Sequence, residues 1–240
     1  MLGDDVERIA GARPPLVFLH EGLGSRSAWR DFPAALARAT GREATVFSRA
    51  GYGQARAREH WPVGFMHDEA RALAVDEEAI LIGHSDGGSI ALLYAAAHPV
   101  RALILEAPHV FVEDETVTSI AALRGQAGLV DALGRHHRDA RATFDGWSGV
   151  WLDPAFRAWN IEACLPRVTA PTLVIQGADD EYGTIAQVDA IRAKLGGPCE
   201  TLILPDCGHA PHRDQPARTL AAMAAFVQSI TSTSSGGGSA

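Results

Sequence analysis

Five residues constrain this chain more than any others: Gly83-His84-Ser85-Asp86-Gly87, set between the apolar run Ala79-Ile80-Leu81-Ile82 and the apolar stretch 90–97. A serine between two glycines, on a tight turn from a buried strand into a helix, is the G-x-S-x-G nucleophile elbow. A side chain at position 83 or 87 would collide with the neighbouring strand or helix. The turn lifts the Ser85 hydroxyl to a helix N-terminus, where N–H groups without helical acceptors favour developing negative charge. A Gly-Ser turn without chemistry shares the five-residue pattern. The strand before it and the helix after it select the elbow.

Short apolar runs and helical stretches alternate on either side. Leu16-Val17-Phe18-Leu19, Ala44-Thr45-Val46-Phe47, the stretch 101–105, Thr172-Leu173-Val174-Ile175-Gln176 and the stretch 200–204 read as strands, most of them continuous enough to be buried on both faces. Helical patterns at 27–39, 67–75, 186–195 and 216–230 fall between or after them. Such alternation predicts an α/β fold with a mostly parallel central sheet and helices on both faces. The stretch 112–167 breaks the alternation with helical pieces, arginines and the aromatics Phe144, Trp147, Trp151, Phe156 and Trp159. It is expected to form an inserted helical lid, most of its aromatics packing it onto the body and one or two facing a ligand. The expected core is 1–111 and 168–231, with 232–240 a flexible tail or linker.

Composition narrows the function. The chain has 240 residues, 47% of them hydrophobic, and a net charge of −8. That balance supports a single domain with a large core and argues against nucleic-acid or membrane-surface partners, which select basic patches. Cys164, Cys199 and Cys207 lack metal-ligand spacing and read as reduced thiols. The acidic N-terminus does not resemble a signal peptide, and a cytoplasmic protein is expected.

A serine nucleophile needs a base, and the base needs a partner that fixes its tautomer. Asp180, in Gly177-Ala178-Asp179-Asp180, and His209, in Cys207-Gly208-His209, each follow a predicted strand. Both are therefore expected at the sheet's C-terminal edge beside Ser85, where open α/β sheets bind ligands.

These motifs resemble the α/β-hydrolase superfamily from about residue 6 to residue 230. His20-Glu21-Gly22-Leu23-Gly24-Ser25 is similar to its oxyanion loop, and Ser48-Arg49-Ala50-Gly51-Tyr52-Gly53 to the loop after the next strand. The resemblance implies a Ser85-His209-Asp180 triad, with Asp179 as the alternative acid. It also implies an oxyanion hole from the backbone of Asp86 and of Gly22 and Leu23. The implied chemistry is cofactor-independent hydrolysis of a small ester, thioester or related carbonyl compound through an acyl-enzyme, without a metal. Two other readings use the same fold: C–C bond hydrolysis or elimination, as in enzymes of ring-cleavage products and of the menaquinone pathway, and ligand binding without catalysis.

Two acidic residues depart from the family pattern. Glu21 stands where a glycine is common, and Asp86 directly follows the nucleophile. A carboxylate there opposes an oxyanion unless it is turned away or paired. The expectation is that both stiffen the loops through backbone or Arg49; the alternative is contact with a cationic or hydroxylated substrate group. Glu21, His109, Trp147, Trp151 and His212 are the candidate substrate contacts.

Overall fold

The computed structural model describes residues 4–232. Its centre is a seven-stranded sheet: β1 (Val6–Ile9), β2 (Ala12–Leu19), β3 (Arg42–Phe47), β4 (Ile80–His84), β5 (Ala102–Glu106), β6 (Thr172–Gly177) and β7 (Cys199–Leu204), in spatial order β1-β3-β2-β4-β5-β6-β7. Every pairing is parallel except β1 with β3. The apolar strand runs divide by alternation into two cores. Leu16, Phe18, Ile80, Ile82, Ile104, Leu173 and Ile175 face Leu36 of α1 (Phe32–Thr40) and Met223, Phe226 and Val227 of α9 (Pro216–Ser232). Val17, Leu19, Leu81, Leu103, Leu105 and Val174 face Phe65 and Met66 of α2 (Phe65–Ala72), Ile90 and Leu92 of α3 (Asp86–Ala95), and Val188 and Ile191 of α7 (Ile185–Lys194). Strands buried on both sides must be apolar throughout, which is why they read as unbroken runs.

Two expected boundaries move. The helix expected from residue 27 starts at Phe32, after a 3₁₀ turn over Arg26–Trp29. Pro33 fits only the first turn of an α-helix, and Arg30 takes φ 51°, so one continuous helix cannot form. Gly41 closes this helix as its C-cap, with φ 67°. At the other end α9 runs through Ser232, where the tail was expected to have begun, its last hydroxyls bonding back to Val227 and Gln228. Positions 233–240 of that tail lie outside the described residues.

Between β5 and β6 stand α4 (Asp114–Leu123), α5 (Leu129–Leu133), α6 (Ala140–Trp151) and two 3₁₀ segments. All five aromatics singled out there are buried, and Trp151, Phe156 and Trp159 pack together with ring centroids 4.9–6.3 Å apart. Arg157 and Arg141 are paired at the surface with Asp114 and Asp145. Among the described residues no helix is long and apolar enough to cross a membrane.

The elbow itself is tight. A Cβ on Gly87 would penetrate the Leu19 carbonyl, and one on Gly83 the Gly87 backbone. Gly87→Ala therefore has no side-chain adjustment available. It is expected to destabilise by about 3 kcal/mol or more, read as a shift in denaturant midpoint.

Candidate active site

The sheet reverses direction of travel at β2: β3 lies on one side of it and β4 on the other. A crevice opens at such a switch point, beyond the strands' carboxyl ends. The loops after β2, β3, β4, β5, β6 and β7 bring His20–Ser25, Arg49, Ser85, His109, Asp180 and His209 to that edge. Ser85 has φ 53° and ψ −118°, a strained conformation for a residue with a Cβ. Its N–H donates to the Glu106 carbonyl at 2.9 Å, which continues the β4–β5 ladder and fixes the turn.

Beside it, His209 Nδ1 donates to Asp180, 2.8 Å from Oδ1 and 2.9 Å from Oδ2. Asp180 also accepts from the Tyr182 N–H (2.8 Å), the Gly183 N–H (3.2 Å) and Gln176 Nε2 (2.7 Å). Burial would raise its carboxyl; the His209 imidazole and the Tyr182 N–H outweigh that and hold it below the usual range. With the proton on Nδ1, the Nε2 lone pair of His209 is free to accept. Asp179, the alternative acid, is exposed. Among the described residues none hydrogen-bonds the Ser85 hydroxyl; nucleophile–base contacts commonly tighten only with substrate.

Gly22 and Leu23 lie in a turn closed by Gly24 N–H to Glu21 O at 3.1 Å. The turn is braced by His20, whose Nε2 accepts the Arg49 N–H (3.0 Å), so that Nδ1 carries the proton and donates to Glu21 O (2.7 Å). Burial lowers the His20 pKa far enough to keep the ring neutral. Arg49, buried, donates to Glu69 (2.8 Å) and to Glu21 O (3.0 Å). His137, which the motif analysis did not single out, accepts from Gly53 N–H and donates to Leu23 O, both at 2.9 Å. It ties the 112–167 segment to the same turn.

The two anomalous carboxylates are turned into the protein. Asp86 accepts from Trp147 Nε1 at 3.0 Å and lies 3.8 Å from Arg49 Nη2; the Trp151 indole faces it without closing a hydrogen bond. Trp147 packs over Gly22 so closely that a Cβ there would enter the indole. Glu21 Oε2 faces His84 Nδ1 at 3.4 Å. Burial would raise the Glu21 carboxyl, but His84 beside it holds it well below the usual range. Of the other candidate contacts, His109 faces the site, its ring 5.7 Å from that of His209, and burial pushes its pKa down to about 3. His212 is instead packed inside the protein. Its Nδ1 lies 2.8 Å from Glu106 Oε2, and Trp29, Phe32 and His84 enclose the ring.

Burial pushes the Asp86 carboxyl up to about 6, with Arg49 opposing. A raised acid binds its proton in the folded state before the unfolded chain does, so it favours folding at low pH and loses that advantage as pH rises to 6. Relative to Asp86→Asn, the native protein is expected to lose up to about 3 kcal/mol of stability between pH 4 and pH 7. Paired thermal melts across that range measure it.

An open, mostly parallel α/β sheet thus carries a strained serine turn and a histidine–carboxylate pair on one edge. The chain belongs to the alpha/beta hydrolase family, whose model matches residues 16–222. A curated relative, the monoacylglycerol lipase abhd6-A of Xenopus laevis, is 23% identical over 193 residues, covering 64% of this chain and 56% of that one. The chain thus spans little more than half of that relative's length. Among solved structures, a bacterial membrane phospholipase A superposes with a TM-score of 0.74 at 22% identity, covering 96% of this chain and 85% of the other. A putative non-heme bromoperoxidase, BpoC of Mycobacterium tuberculosis H37Rv, does so with 0.73 at 21%, covering 94% and 95%. Both are likenesses of fold.

Two further residues at this edge were not singled out either. His84 and Glu106 are buried at the ends of β4 and β5. The available sign was polarity out of place: a charged residue closing the otherwise apolar strand Ala102-Leu103-Ile104-Leu105 has to be paired with something.

Proposed function

We propose that the protein is a cofactor-independent serine hydrolase of small esters, thioesters or related carbonyl compounds, acting through Ser85, His209 and Asp180. The observation that carries this is the His209 Nδ1–Asp180 hydrogen bond of 2.8 Å in a loop whose carbonyl is bonded to His84, the residue preceding Ser85. Nε2 of His209 takes the Ser85 proton as Oγ attacks the substrate carbonyl. The oxyanion is received by the N–H groups of Asp86 and of the Gly22-Leu23 turn, donors of a kind worth ~3–4 kcal/mol each. The same imidazole protonates the leaving group as its bond to the acyl carbon breaks. It then deprotonates the water that releases the acid and restores Ser85.

In this reading 112–167 is the lid, and Trp147 and Trp151 are its contact with the site. The pairing of Asp86 and Glu21 with neighbouring side chains supports stiffening of the loops over recognition of a cationic substrate. The test is turnover of p-nitrophenyl esters of increasing acyl length, with a monoacylglycerol included because the curated relative bears that name. Ester turnover is expected. Cleavage of a dienoic diketone with no ester turnover would move the protein to C–C bond chemistry, and turnover of none of them to ligand binding.

A further inference from the structure

His209 sits in the loop between β7 and α8 (Pro211–Asp214), and that loop is held from two sides. On the acid's side Asp179 N–H donates to Cys207 O at 2.9 Å. On the nucleophile's side there are two ties. His84 Nε2, one residue before Ser85, lies 2.7 Å from the His209 carbonyl and donates to it. Three residues beyond His209, His212 donates its N–H (3.2 Å) and Nδ1–H (2.8 Å) to Glu106 Oε2. Glu106 is the residue whose own carbonyl accepts the Ser85 N–H. One residue is therefore bonded to the nucleophile's turn through its backbone and to the base's loop through its carboxylate.

A structural account alone does not explain why this spot is ionic. Glu106 is fully buried, with Oε1 unpartnered, and His212 is 4% exposed with Nε2 unpartnered. Taking both charges out of water costs several kcal/mol per ion, and apolar side chains of the same volume commonly serve stability as well or better. What an apolar pair cannot supply is direction. An ion pair with a shared backbone N–H fixes where the loop lies, whereas dispersion contacts tolerate sliding. Direction matters here because proton transfer between Ser85 and His209 needs heavy atoms within about 3 Å, and a misplacement of about 1 Å can cost 10²-fold in rate.

We infer that Glu106, His212 and His84 are positioning residues that set the His209 imidazole against the Ser85 hydroxyl. This rests on the hydrolase reading above. None of the three touches substrate; they act through the backbone of the elbow and the backbone of the base's loop.

The experiment compares Glu106→Gln, His84→Phe and His84→Gln with the native protein and with Ser85→Ala, using p-nitrophenyl butyrate and a fluorophosphonate. Gln at 106 keeps the shape and loses the charge. Phe at 84 keeps a ring against Trp29 and His209 and loses both the donor to His209 and the nitrogen facing Glu21, and Gln at 84 restores an N–H. For folded Glu106→Gln and His84→Phe, kcat is expected to fall about 10- to 100-fold with KM within about twofold, and phosphonylation to slow in parallel. His84→Gln is expected to recover much of the loss, which a role confined to stability would not produce. Lowered melting temperature with unchanged kcat in both folded variants overturns the inference, as does a loss confined to KM. Should Glu106→Gln not fold, His84→Phe and His84→Gln decide alone, since they leave the Glu106–His212 pair intact. Native turnover in Ser85→Ala would instead remove the hydrolase reading itself.

Discussion

Ser85→Ala is expected to lower kcat on an activated ester by about 10⁴-fold or more while leaving KM and thermal stability nearly unchanged. Nothing else at this edge can replace the hydroxyl. Asp86 follows it directly but has its carboxylate turned to Trp147 and Arg49. Ser89 donates to the His109 carbonyl at 2.6 Å, one turn along α3. Alanine keeps the Cβ that the turn already accommodates at φ 53°, so the elbow and its N–H groups persist. A residual rate over uncatalysed hydrolysis is expected for the same reason: the oxyanion donors and the lone pair of His209 remain. Steady-state kinetics with matched thermal melts read both halves of the expectation.

Asp180→Asn is expected to cost nearly as much, about 10⁴-fold in kcat, with little change in fold. The carboxylate receives only donors: His209 Nδ1, the Tyr182 and Gly183 N–H groups and Gln176 Nε2. An asparagine oxygen can satisfy the two backbone N–H groups. Its NH₂ then points at His209 and Gln176, and Gln176 can turn its amide to accept only by giving up its own hydrogen bond to the Gly183 carbonyl (3.0 Å). His209 can meet that NH₂ only by moving its proton to Nε2, which leaves no lone pair for the Ser85 proton. The loss should ease at higher pH, where deprotonation of the serine needs less help from the base. A small effect with a normal pH profile would mean that this carboxylate does not set the tautomer.

The sequence was most readable where one physical requirement governs a stretch. Residues such as Leu16-Val17-Phe18-Leu19 must satisfy two cores at once, so they are apolar without interruption and announce a covered parallel strand. The edge strand β1, Val6-Glu7-Arg8-Ile9, has one neighbour and a solvated margin; its polar centre hides it. Asp180 and His209 stood out because each follows a strand, and ends of neighbouring strands converge. Which of Asp179 and Asp180 turns inward depends on the course of a three-residue turn; family spacing favoured Asp180 and kept Asp179 as the alternative. His84, Glu106 and His212 were harder still. Their partners lie 106 to 125 residues apart, and no local pattern encodes a contact across the sheet. The partners of Asp86 likewise depend on how α6 lies over the elbow, which its own sequence does not state.

The central claim is that Ser85 is an activated nucleophile, and mass spectrometry of the fluorophosphonate-treated protein tests it most directly. One stoichiometric adduct is expected, on the peptide carrying Ser85, forming far more slowly in His209→Ala. An enzyme that turns over esters while that peptide stays unmodified, or carries its adduct on another residue, would contradict it.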